Sequence, residues 1–383
     1  MGLDVIDWRT AVLVPLLALL SALIVGAVII AVSDVELLRL WGEDVGEAFS
    51  QTWTTIRDAY VALFRGSLWG LRPISETLVS ASPLILAGLS VALGFRAGLF
   101  NIGAQGQMIL GGIVGAIIGF SFDLPYVLHV LVALIGAAIA GAIWGGIPGL
   151  LRAKTGAHEV ITTIMFNLIA VPLLDWVLKL EFVQRAGRDD PVSKTVAETA
   201  RLPQLLGWLD RNDLRVHAGF ILALLAAWFV HWLLFKSTLG YEFRAVGANP
   251  DAARYGGMNV VLVYTGVMAI AGALAGLAGA NEILGIPEYR AAPGFVAQIG
   301  FDAIALALLG RSHPAGVVAA GVLFGALRAG GQQMQAATDI PIDIIVVLQA
   351  LIIVFVAAPA LIRAIYRVRT GEGTGQLTKG WAA

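Results

Sequence analysis

Asn167, Asn281, Glu282, Asp302 and Arg328 interrupt long apolar runs of the sequence. Polar groups at membrane depth are expensive to hold, so they mark either a passage for a polar ligand or a buried pair. An amide such as Asn167 both donates and accepts hydrogen bonds, which suits a neutral polar solute without burying a net charge. Carboxylates such as Glu282 and Asp302 would instead suit an ion-coupled carrier, provided that they lined one cavity. Glu282, however, stands beside Gly285 and Pro287 at the end of its run, where a charge can stay in water. Asp302 is placed to pair with Arg328 or to cap a helix broken after Pro293-Gly294.

Other chemistries lack their residues. Gly149-Leu-Leu-Arg-Ala-Lys154-Thr155 approaches a phosphate loop but has Ala153 and Pro148 where the motif needs glycine. His158-Glu159 begins like a zinc-protease helix, yet the second histidine position is Thr162. The five histidines are otherwise scattered and there is no cysteine, so neither a metal site nor a thiol nucleophile nor a disulfide framework is expected. Lys plus Arg is 25 against 26 Asp plus Glu, leaving no basic excess for a nucleic-acid backbone.

The elements that must position the polar residues can be read from the same composition. Of 383 residues, 58% are hydrophobic and 13% charged, about half the charge content of an ordinary soluble domain. A spanning helix needs roughly 20 mostly apolar residues. Runs of that kind cover Ala11–Val32, Thr77–Phe95, Gln107–Phe122, Tyr126–Leu151, Val160–Leu178, His217–Phe235, Val260–Asn281, Phe295–Gly310, Ala315–Leu327 and Ile344–Ile362. The first is uncharged and longer than a typical signal core, so it reads as a retained anchor. The expected fold class is an all-α integral membrane protein, a polytopic bundle of about ten transmembrane helices, in one domain over residues 1–383.

Arg96, Arg152 with Lys154, Lys236, Arg244 and Arg254, and Arg311 fall in alternate connections, and the tail carries Arg363, Arg367, Arg369 and Lys379. Positive residues collect inside, which places both termini in the cytoplasm. Segments 33–75 and 179–216 are then extracytoplasmic, and Trp41, Trp53, Trp69 and Trp208 within them predict amphipathic pieces at the lipid interface. Glycines recur every fourth residue at Gly111, Gly115 and Gly119, at Gly141, Gly145 and Gly149, at Gly272 and Gly276, and at Gly321 and Gly325. Each series lets two helix backbones approach closely.

The connection 236–259 is the most informative loop. Asn249 is a good N-cap, Pro250 fits the first helical position, Asp251 complements the positive helix end, and Gly256-Gly257 supplies a stop. A short helix is bracketed between two spans, with small Ala252 and Ala253 and larger Arg254 and Tyr255 available to seat in a partner's groove.

Three runs carry a resemblance. They are Gly94-Phe-Arg-Ala-Gly-Leu-Phe-Asn101-Ile-Gly103-Ala-Gln105-Gly-Gln107, Ala245-Val-Gly-Ala-Asn249 through Tyr255-Gly256-Gly257-Met258, and Gly300-Phe-Asp302 through Leu309-Gly310-Arg311. In this order, from about Ser75 to Ile362, they resemble the permease subunits of bacterial ATP-binding-cassette importers. The similarity is to the branch that handles simple sugars and nucleosides, closest to the nucleoside permeases. Gln105 stands where nucleoside members would be expected to carry glutamate.

The resemblance implies a permease in the bacterial inner membrane, with a separate ATPase subunit, an extracytoplasmic substrate-binding protein and a second, non-identical permease as partners. It implies no catalysis by this chain and no cofactor of its own, ATP and magnesium being held by the ATPase. Asn249, Pro250, Asp251, Ala252, Ala253, Arg254 and Tyr255 would form the coupling helix. For the substrate path the expected residues are Asn101, Gln105, Gln107, Asn167 and Asp302, because amides can bind a sugar or nucleobase without net charge. A simple-sugar permease and an ion-coupled secondary transporter are the alternatives.

Overall fold

The computed structural model describes residues 13–358, apart from 188, 210, 212, 339 and 342, together with 362, 365 and 366. The basic tail residues Arg363, Arg367, Arg369 and Lys379, and the start of the first apolar run at Ala11, lie outside the described residues. Helices dominate: α1 (Val14–Ser33), α2 (Val35–Glu43), α3 (Val45–Leu68), α4 (Leu71–Arg96), α5 (Ala104–Ser121), α6 (Tyr126–Thr155), α7 (Glu159–Leu178), α8 (Gly219–Lys236), α9 (Thr238–Ala248), α10 (Pro250–Tyr255), α11 (Val260–Gly285), α12 (Ile299–Leu309), α13 (Pro314–Thr338) and α14 (Asp343–Ala357). Among the described residues eight are long and apolar enough to cross a membrane, with α12 and α14 shorter apolar helices.

The chain divides into two compact units, residues 1–66 with 330–383 and residues Ser67–Ala329. In the first, α1 packs along α14, and Tyr60 on α3 donates its hydroxyl hydrogen to the Leu23 carbonyl. Gly26 lies against Leu348 and Tyr60, and Gly330 against the Leu63 backbone, close approaches that a larger residue would block. Segment 33–75 is therefore mostly helical: Asp34 caps α2 by accepting from Glu36 and Leu37 N–H groups, and α3 runs 24 residues.

In the second unit α11 is clasped between α5 and α6. The glycine series explains how: a methyl group on Gly141 would run into the Gly272 carbonyl, one on Gly111 into Gly276, and one on Gly149 would lie 2.8 Å from the Tyr264 carbonyl. Likewise Gly325 of α13 sits 2.6 Å, measured from such a methyl, from the Thr77 carbonyl of α4. Lipid gives apolar side chains no reason to leave it, so backbone-to-backbone contact along these small-residue faces supplies the packing. The opposite face of α6 presents Leu131, Ile135, Ile139 and Ile143, each at least half exposed and all apolar, as a lipid-facing ridge should be.

Two elements depart from the expected spans. The run Phe295–Gly310 is helical only from Ile299, because Pro293-Gly294 and the left-handed Ala297 (φ 42°) interrupt it. In contrast α13 continues to Thr338, well past Leu327. Segment 179–216 is largely irregular, with one-turn helices at Glu198–Ala200 and Gly207–Leu209 and isolated bridges pairing Gln184 with Ser193 and Gln204 with His217.

Candidate functional site

The turn joining α4 to α5 is unwound, and side-chain amides take over its backbone hydrogen bonding. Asn101 and Gln107 form a reciprocal pair, each amide nitrogen donating to the other's oxygen at 3.0 Å. Asn101 Nδ2 also donates to Ser90 Oγ at 3.2 Å, and the Gly103 N–H donates to Asn101 Oδ1 at 3.1 Å. From α7, Asn167 Oδ1 accepts the Gly106 N–H at 2.8 Å while its Nδ2 donates to the Ile102 carbonyl at 2.8 Å. All three amides are buried. With no water at this depth, non-helical backbone needs such partners.

Gln105, one helical position away, faces a different neighbour. Its Nε2 donates to the Ala297 carbonyl, and its Oε1 accepts the Gly300 N–H at 2.9 Å. One side chain thus bridges the break that precedes α12. The rest of the broken segment is held by 179–200: the Ser193 N–H donates to the Ala291 carbonyl and the Val196 N–H to the Tyr289 carbonyl, both at 2.9 Å, and the Ala291 N–H donates to Ser193 Oγ. The break itself is not enclosed, since Pro293, Gly294, Ala297 and Gln298 are exposed; a broken span whose backbone is held by neighbouring protein is the form that irregular backbone takes around a membrane binding site. Phe295 of this segment lies against Gly112, midway along α5, and Leu306 of the helix that follows lies against Gly88 in the second half of α4.

Asp302, in the first turn of α12, pairs with Arg328 of α13. Of the two expectations for Asp302, the pairing with Arg328 is the one met: the N-cap of α12 is Gln298, and no side chain caps the helix. Their side chains are 24% and 25% exposed, so the pair is open on one side. A charge pair bared to hydrocarbon is heavily disfavoured, and its open side therefore faces a wet path or other protein. Glu282, in the last turn of α11, lies within electrostatic reach of the same Arg328. The five expected path residues thus form two groups, Asn101, Gln107 and Asn167 in the amide clamp and Asp302 with its arginine, with Gln105 between them on α5. Arg328 and the staple residues Ser193 and Val196 complete the site.

At the end of the bundle bearing Arg96, Arg244 and Arg311, α10 is capped by Asn249, whose side chain accepts the Ala252 N–H at 3.0 Å, and ends at Gly256 and Gly257 (φ 84°). Asp251, Ala252, Arg254 and Tyr255 are exposed, Tyr255 at 95%. Pro250 is partly buried. Ala253 differs from the expectation that it faces outward: it is 5% exposed and packs inward, because position i+4 from Asn249 falls on the inner face of so short a helix. Upstream, Gly247 of α9 meets Ala97 backbone and Gly98 meets Gly247 backbone, so close that a methyl on either would fall within 3.0 Å of the other strand of chain. Arg96 completes this end by donating from Nε to the Ser312 carbonyl at 2.9 Å and from Nη2 to the Arg311 carbonyl at 3.2 Å. Both of those residues adopt left-handed backbone.

At the opposite end of α4, Arg215 pairs with Glu76 through Nε and Oε1 at 2.8 Å. His217 beside it is 1% exposed, and burial, helped by the Arg215 charge, lowers its pKa to about 4. Its Nδ1 accepts the Gly219 N–H at 3.2 Å. Among the described residues no three His, Asp or Glu side chains gather as a metal ion would require.

Comparison with known proteins places this architecture. The family described as "Branched-chain amino acid transport system / permease component" matches residues 74–357. The chain is 38% identical over 351 residues to the guanosine ABC transporter permease protein NupP of Bacillus subtilis, covering 92% of this chain and 94% of that one. It is 36% identical over 360 residues to the glucose ABC transporter permease protein TsgB13 of Haloferax volcanii, covering 92% and 89%. A further Bacillus subtilis protein, the guanosine ABC transporter permease protein NupQ, is 29% identical over 260 residues, covering 66% and 79%. No solved structure matches.

Proposed function

Because the chain belongs to the branched-chain amino acid transport system / permease component family, we propose that it forms half of the translocation path of an ATP-binding-cassette nucleoside importer. A separate ATPase subunit hydrolyses ATP, an extracytoplasmic binding protein delivers the nucleoside, and a second, non-identical permease supplies the other half of the path. The protein sits in the bacterial inner membrane with both termini and α10 in the cytoplasm.

The observation that carries the reading is α10. Six residues capped at both ends, with Ala253 turned in and Asp251, Arg254 and Tyr255 turned out, make a small rigid body that a partner can push. Movement of the ATPase would switch the path between outward- and inward-facing states by stabilising one over the other. Two relatives named as guanosine permeases come from one organism, which supports both the nucleoside substrate and the paired permeases. The glucose permease relative favours a simple sugar as the second reading.

Purification of the tagged chain from gently solubilised native membranes, with reconstitution of its companions, tests the proposal. A stoichiometric ATPase and a different permease are expected, with ATP-dependent uptake of guanosine delivered by the binding protein. Uptake of glucose in place of guanosine would replace the substrate. Ion-driven uptake by the chain alone, without ATP, would overturn the importer reading.

A further inference from the structure

The accessible arc of α12 consists of Phe301, Asp302, Ile304, Leu308 and Leu309, while Ala303, Leu306 and Ala307 are buried behind it. Phe301 lies in the middle of the arc and is 44% exposed. Asp302 and its partner Arg328 lie at the edge, each about a quarter exposed. This surface begins level with the start of α5, where Gly300 lies against Gln105, and runs along the second half of α4, where Leu306 lies against Gly88, and it differs from the all-apolar ridge of α6. An open ion pair disfavours hydrocarbon over the arc, which leaves the path or other protein to cover it, and Phe301 stands there as a flat apolar ring.

We propose that Phe301 is a stacking platform for the base of the transported nucleoside, with the Asp302 carboxylate and Arg328 guanidinium meeting the base's hydrogen-bonding edge. The assignment rests on the nucleoside reading above. A base offers a π face on which an aromatic side chain stacks without regard to sequence. Along one edge it offers both donors and acceptors, which need an acceptor and a donor side by side, as a carboxylate and a guanidinium provide. A hexose offers hydroxyls to the same pair but no π face, so the phenyl ring is the part that distinguishes the two substrates.

The cysteine-free sequence allows a direct test in membranes containing the whole complex. Phe301→Cys is compared with Ile143→Cys on the α6 ridge, using a water-soluble methanethiosulfonate that reacts with hydrated thiolate. Phe301→Cys is expected to react at least about tenfold faster, because thiolate does not form in hydrocarbon. Guanosine should slow that labelling and glucose should not. In uptake assays Phe301→Ala should lose about tenfold in rate, whereas Phe301→Tyr, which keeps the π face, should stay within about twofold of wild type.

Equal labelling of the two cysteine variants would overturn the proposal by showing the arc to be covered. If wild type imports guanosine but Phe301→Ala imports it equally fast, the stacking role falls and the nucleoside reading stands. If wild type imports glucose and not guanosine, the nucleoside reading falls and the base assignment with it.

Discussion

Gln105 supplies with one side chain the hydrogen-bond partners of two backbone groups at the break before α12. Replacing it with glutamate keeps the acceptor for Gly300 but removes the amide donor to Ala297, an exposed residue. The expected result for Gln105→Glu is a loss of about 1 kcal/mol, the net worth of one hydrogen bond, seen as a lower Tm in detergent. An unchanged Tm would remove the bridging role. His217 gives a second expectation. Its native pKa of about 4 lies below the ordinary 6.5, so between these values the unfolded chain binds more protons than the folded one. Stability is fully present above about pH 6.5 and declines as pH falls toward 4, by up to about 3 kcal/mol. Thermal unfolding of wild type should therefore become easier across that window, whereas His217→Gln should be flat. The sequence displays which residues are polar and how deep they lie, so Asn101, Asn167 and Asp302 stand out at once. Arg328 is legible as the partner of Asp302, but those of Asn167 are hidden, because it meets Gly106 and Ile102 across 61 and 65 residues and no local pattern encodes so distant a contact.

The spans that match their sequence runs are those whose packing partner is lipid or a glycine face, since apolar length and four-residue glycine spacing are both local signals. The two that differ do so for different reasons. Past Leu327 the α13 run loses its apolar character with Arg328, Gln332 and Gln333, yet the helix persists; before Ile299 an apolar run fails to be helical because Pro293, Gly294 and Ala297 open it. The glycine faces lead to a plain expectation: Gly276→Val should cost about 1–3 kcal/mol or more by forcing α11 off the Ala137 carbonyl and Gly141, and fluorescence-detected size exclusion should show less monodisperse protein. A normal profile would mean the helices can part. For α10, Tyr255→Ala should leave Tm unchanged, since Tyr255 is 95% exposed, while uncoupling ATP hydrolysis from uptake. Ala253→Glu should instead lower Tm by about 1–3 kcal/mol of stability, because it places a charge on the buried face. Opposite ranking of the two variants would put the docking face on the other side of the helix.

Across the whole molecule, the basic connections and the irregular segment 179–216 lie at opposite ends of the spans of the second unit, and the inside-positive rule assigns the ends. Single cysteines at Tyr255 and Trp208, exposed by 95% and 77%, should label from opposite faces of sealed inverted and right-side-out vesicles, with Tyr255→Cys reactive from the cytoplasm. Labelling of both from one face would overturn the orientation. The staples around the broken span also bear on how the protein is made. Chains emerge from the ribosome N-terminus first and fold as they go. Gln105, Ser193 and Val196 all precede Tyr289 to Gly300 in the chain, so the partners of this unwound backbone are already synthesised when it leaves the insertion machinery. Asp302 has no such advantage: Arg328 is made 26 residues later. Until α13 follows, the carboxylate waits without its guanidinium, so the entry of α12 is the step of biogenesis that depends on a helix still to be inserted.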